Sequence, residues 1–95
     1  LMGKGITAVH RLGGGDINVF EIKLGSGTPA ADRGIAELNL SGGGLVMLVN
    51  RGDSSFIPRG DYIFKSGDRI ILIAKYDSET EIEKFFGSFP DGARL

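Results

Sequence analysis

An α+β fold is predicted for this chain: a mixed β-sheet in which a strand–helix–strand crossover leads into an antiparallel meander, closed by a C-terminal helix. Three observations predict it. Between Ile17 and Leu24, Phe20, Ile22 and Leu24 alternate with Val19, Glu21 and Lys23, the period of a half-buried strand. Two Gly-Asp pairs, Gly60-Asp61 and Gly67-Asp68, bracket the short apolar run Tyr62 to Phe64, and the second launches the most apolar segment, Ile70 to Ala74. Finally, Ile82, Phe85 and Phe86 recur at helical spacing behind a polar start at Asp77-Ser78.

The elements follow in order. Leu1 to Leu12 reads as a tether or a short edge strand, and Gly13-Gly14-Gly15-Asp16 ends it, because three glycines cost too much backbone entropy inside an element. The first clear strand is Ile17 to Leu24, stopped by Gly25-Ser26-Gly27. Thr28-Pro29 suits a helix start, and Ala31, Ile35 and Leu38 form one apolar stripe. A right-handed crossover through that helix makes the flanking strands parallel. Leu45 to Val49 is a continuous apolar run, as expected of a strand covered on both faces. Asn50 to Asp53 turns into Ser55-Phe56-Ile57, which Pro58 confines to an edge or an end. Tyr62 to Phe64 is a further brief strand, and Arg69 to Tyr76 is the central strand of the second half. In the closing helix, Ser78 and Glu81 have capping-box spacing, Gly87 suits the C′ position and Pro90 blocks continuation. The domain organisation is therefore an N-terminal tether or edge strand over 1–16, one folded unit over 17–89 and a tail over 90–95.

Ninety-five residues, 41% of them hydrophobic, suffice for one core without staples. The absence of cysteine excludes disulfides and thiolate chemistry. A net charge of −1 argues against a broad grip on nucleic acid. No run of apolar residues is long enough to span a bilayer. The start, Leu1 to Gly5, has no apolar core of a secretory signal. Met2 behind Leu1 suggests a piece of a longer protein.

Catalytic and metal chemistry find little support. His10 is the sole histidine, with no ligand-spaced partner. No Gly-x-Ser-x-Gly elbow is present, so neither a catalytic nor a metal site is assigned and no enzyme is expected. Gly25-x-Gly27 follows a strand but lacks the third glycine and the lysine of a phosphate loop. The two Arg-Gly-Asp triplets, at Arg51 and Arg59, are read as turns. More informative is the apolar surplus over Leu45 to Val49, Phe56 to Pro58, Tyr62 to Phe64 and Ile70 to Ile73. A second copy of the chain would cover it. Such a two-fold seam gathers Asn50, Arg51 and Arg59 from both copies, and paired arginines suit a doubly charged symmetric anion. The bland alternative is that these arginines solvate turns.

At this point a resemblance enters. Phe20-Glu21-Ile22, Gly25-Ser26, Ala36 to Leu40, Val46 to Arg51, Pro58-Arg59-Gly60-Asp61 and Gly67 to Ile73 together resemble the TrkA-C domain, the C-terminal subdomain of regulators of potassium conductance. Ala31-Asp32-Arg33 and the glycine-rich loop Ser41 to Gly44 depart from its pattern. The resemblance implies a cytoplasmic, ligand-sensing regulatory domain of a cation transport protein, with potassium the expected ion. It acts as a homodimer, on a membrane-embedded channel, transporter or cation–proton antiporter in cis or as a partner subunit. Cyclic di-AMP or another nucleotide is the implied ligand, with no fixed cofactor. The ligand-binding residues would be Asn50, Arg51, Ile57, Pro58 and Arg59. The rival reading is a ligand-free assembly module of a transporter or of a transcriptional regulator.

Overall fold

The computed structural model describes residues 5–40 and 42–87; the tail expected at 90–95, and Pro90, lie outside them. Among the described residues five strands form one sheet: β1 (Gly5–Leu12), β2 (Ile17–Lys23), β3 (Gly44–Arg51), β4 (Ser54–Phe56) and β5 (Arg69–Lys75), followed by helix α1 (Glu79–Phe86). The strand order is β1-β2-β5-β3-β4. Thus the apolar run after Gly67-Asp68 lies at the centre of the sheet, and the strand limited by Pro58 lies at its edge.

The α+β class and the C-terminal helix are observed, but the sheet is not mixed. Every neighbouring pair is antiparallel. β2 and β3 do run in the same direction, since each is antiparallel to β5, yet β5 lies between them. A long segment separates β3 from β5 in sequence, so β5 can return through the gap and satisfy both inner edges with antiparallel ladders.

The crossover helix is also absent. Residues 28–34 form successive turns, and only Ile35–Glu37 makes a single 3-10 turn. Tertiary hydrogen bonds replace helical ones: the amides of Asp32 and Ile35 donate to the carbonyls of Phe64 and Tyr62, and the Phe64 amide donates to Arg33 O. Gly34 and Ile63 form an isolated antiparallel bridge, so Tyr62 to Phe64 is a bridge partner rather than a strand. Asp32, at φ 68°, reverses the chain before the bridge. Gly34 permits the approach, because a Cβ there would meet Ile63 Cδ1 at 3.3 Å.

The core lies on one face of the sheet. Phe20, Ile22, Ile70, Leu72, Val46 and Val49 point into it, joined by Ile6 and Val9 from β1. Ile82, Phe85 and Phe86 of α1 close it from above, with Phe64 meeting both phenylalanines edge to face at 6.1 and 5.5 Å. Burial of this kind contributes roughly 1.5–3 kcal/mol per large apolar side chain. Ser78 takes the N-cap position of α1 without making the expected side-chain cap, and Gly87 ends the helix at φ 98°. β3 is covered on one face only. Its Leu45 is 62% exposed, contrary to the expected two-sided burial.

Candidate functional site

β3 alternates its residues across the sheet, and this divides the expected ligand set. Arg51, the last residue of β3, lies on the core side near the Gly67-Asp68 turn. Its Nε donates to Asp68 Oδ1 at 3.0 Å and its Nη2 to Asp68 Oδ2 at 3.3 Å. The same Nη2 reaches the Tyr62 hydroxyl, and the guanidinium stands over the Tyr62 ring at 5.2 Å from its centroid. Tyr62 in turn donates to Asp68 Oδ2 at 2.5 Å, and the Lys65 amide donates to the same oxygen at 2.9 Å.

Asp68 is the anchor of this group. Its side chain is 1% exposed, whereas that of Arg51 keeps 47% of its surface in water. Burial pushes the Asp68 carboxyl up, but hydrogen bonds from Arg51, Tyr62 and the Lys65 amide outweigh it and hold the group below its usual range. The Tyr62 hydroxyl is pushed up to about 12, first by burial and then by its bonded carboxylate neighbour. Arg51 is thus a fixed, charged, half-exposed guanidinium. Ordered donors of this type bind anions with little reorganisation.

The loop after β4 packs against this group. Phe56 pairs with Val49 in register and meets the Tyr62 ring edge-on at 5.5 Å. Ile57 then projects outward, 77% exposed, followed by half-buried Pro58 and exposed Arg59. The Tyr62 amide closes this loop on Arg59 O at 3.0 Å. Arg51 and the Ile57–Arg59 loop are therefore linked through Tyr62 and Phe56.

Asn50 is placed apart from them. It faces the opposite side of the sheet, opposite Arg69 in register, and its Oδ1 accepts a hydrogen bond from Ser55 at 2.5 Å. Tyr62 and Asp68 are the residues that sequence reasoning missed. In the sequence they stand in a brief apolar run and a Gly-Asp turn, and of Asp61 and Asp68 only Asp68 is buried. No group of three or more His, Asp or Glu among the described residues could hold a metal ion. No described helix is long and apolar enough to cross a membrane.

Comparison with known proteins places these features in context. The TrkA-C domain family matches residues 19–87. A "Trk system potassium uptake protein TrkA homolog 1" of Methanosarcina mazei is 28% identical over 85 residues, 90% of this chain and 19% of the relative. A corresponding TrkA homolog of Archaeoglobus fulgidus is 28% identical over 83 residues, 87% of this chain and 19% of that protein. An uncharacterized transporter of Geobacter sulfurreducens is 39% identical over 59 residues, 60% of this chain and 11% of its length. The chain thus spans about a fifth or less of the length of these relatives. Among solved structures, a GsuK channel bound to NAD superposes with a TM-score of 0.68 at 18% identity, over 94% of this chain and 17% of that one.

Proposed function

This chain belongs to the TrkA-C domain family, and from that premise we propose that it is a cytoplasmic ligand-sensing domain which regulates a potassium transport protein as a homodimer. Its role is regulatory rather than catalytic. The observation that carries this reading is the Arg51 guanidinium, fixed by buried Asp68 and half-buried Tyr62 beside the exposed Ile57 loop. Arg51 pairs with the buried carboxylate and still keeps 47% of its side-chain surface in water, where an anion can reach it.

In the proposed dimer, a second copy covers Ile57 and Pro58, and the Arg51 and Arg59 side chains of both copies line one seam. A nucleotide with two phosphates, such as cyclic di-AMP, matches a pair of arginines related by a two-fold axis. Asn50 would contribute through its backbone position at the end of β3 rather than from the Arg51 side of the sheet. The channel of similar fold has NAD bound, which supports a nucleotide as the ligand class. Regulation then follows from linkage: the ligand binds one arrangement of the two domains better and biases the attached channel or transporter.

The test is calorimetry on the full-length protein with cyclic di-AMP and with NAD, alongside Arg51→Ala and Arg59→Ala. Saturable heat that both substitutions abolish supports sensing. A protein that binds neither nucleotide, and whose transport is regulated normally with both arginines removed, fits the ligand-free assembly module instead.

A further inference from the structure

The face of the sheet opposite the core carries an unexplained juxtaposition of charge. Lys23, the last residue of β2, lies directly opposite Arg69, the first residue of β5, and Arg69 lies directly opposite Asn50 of β3. The alternation of burial along β2 and β5 puts Lys23 and Arg69 on the outer face, beside half-buried Ile71. Like charges directly opposite on paired strands are destabilising. Among the described residues neither cation has an ion-pair partner.

The surface between them is concave. A groove of about 140 Å³ is lined by Thr7, Glu21, Lys23, Asn50, Arg69 and Ile71. A bulge in β1 between Ile6 and Ala8 shapes its rim, where Thr7 Oγ1 donates to the Glu21 carbonyl at 3.1 Å. Among the described lining residues Glu21 is the carboxylate, and its Oε2 sits 2.5 Å from Nε2 of His10, over β1. Ser55 occupies the Asn50 Oδ1 acceptor, so the Asn50 amide nitrogen is the group left to act as a donor. An ammonium, a guanidinium and an amide donor thus line one cleft with room for a phosphate group.

We propose that this row binds a phosphate group, free or carried on a mononucleotide, at a site separate from the Arg51 and Arg59 region. The anion neutralises two cations that the sheet holds side by side, and their repulsion in its absence is the stability given up for the site. The inference does not depend on the reading given under Proposed function: the two sites share only Asn50, and the cations of this one, Lys23 and Arg69, play no part in that one.

The experiment titrates inorganic phosphate into the chain near pH 7, at ionic strength held constant with sodium chloride, and follows amide NMR shifts and Tm. Saturable shifts at Lys23, Asn50 and Arg69 are expected, with Tm rising by roughly 5–10 °C at ten times the half-saturating concentration. Lys23→Gln and Arg69→Gln should each weaken binding about ten-fold and, without phosphate, leave the chain as stable or more so. AMP should compete with phosphate and adenosine should not. Shifts that rise linearly without saturating, an equal response to chloride, or binding that survives the double substitution would overturn the proposal. So would shifts confined to Arg51 and Arg59, and so would adenosine binding as tightly as AMP.

Discussion

Arg51, the last residue of β3, and Asp68, in the turn just before β5, meet through two hydrogen bonds, with the carboxylate buried and the guanidinium half in water. Removing one partner of a buried pair leaves the other desolvated and unpaired. Asp68→Ala also strands the Tyr62 hydroxyl and the Lys65 amide. We expect a loss of about 3 kcal/mol, at the low end for a broken buried pair because Arg51 can turn to solvent. Urea unfolding measures it, and a loss below about 1 kcal/mol would show that the network is not structural.

The same network sets a pH dependence at both ends. The Asp68 carboxyl is held below its ordinary 3.8, so its contribution is complete above that value and is lost as pH falls through the folded value. Tyr62 is raised from 10.0 to about 12, so its contribution is complete below pH 10 and is lost as pH rises towards 12. Asp68→Asn should flatten the acid limb of the stability curve and Tyr62→Phe the alkaline limb. Chemical denaturation across pH tests both, and limbs unchanged by these substitutions would reassign them to other groups.

The two Gly-Asp pairs should respond differently to the same change. Gly67 has φ 94° and its amide donates to Leu24 O at 2.6 Å, whereas Gly60 has open space around its would-be Cβ and no positive φ. Gly67→Ala should cost about 1–2 kcal/mol, the penalty of a left-handed backbone for an L-residue. Gly60→Ala should change stability by less than about 0.5 kcal/mol. Paired thermal melts decide, and equal effects would contradict the difference in backbone.

β1 lies outside the family match, yet Ile6 is fully buried and Val9 is 2% exposed. Ile6→Ala should cost about 3 kcal/mol, the middle of the range for emptying a core position. A stability unchanged on truncation of residues 5–12 would mean that the core closes without this strand.

Ile57 tests folding apart from the proposed self-association. At 77% exposure it gives the monomer little, so Ile57→Ser should move stability by less than about 0.5 kcal/mol. In the proposed dimer it is covered, and the substitution should weaken self-association in sedimentation measurements. A dimer of unchanged affinity would place the seam elsewhere.

How much of this was legible without coordinates varies by residue. β2 could be read because Phe20, Ile22 and Leu24 alternate with exposed-side residues, and that period survives in any sheet. α1 was legible from Ile82, Phe85 and Phe86. The stripe Ala31, Ile35 and Leu38 misled, because the amides of Asp32 and Ile35 found carbonyls thirty residues away in Tyr62 to Phe64. Helical spacing records which side chains are apolar, not where the backbone donors go. The expected site was legible only as a list: Arg51, Ile57, Pro58 and Arg59 share one region, while Asn50 faces the other side of the sheet.

By itself the amino-acid order determined local periods, turn positions, the absence of thiol chemistry and the family signature. Tertiary structure alone decided that Asp68 rather than Asp61 buries its carboxylate, that β5 threads between β2 and β3, and that Lys23 confronts Arg69. The reason is physical: patterning acts over a few residues through side-chain direction, whereas strand order and desolvation depend on backbone groups far apart in the chain competing for the same partners.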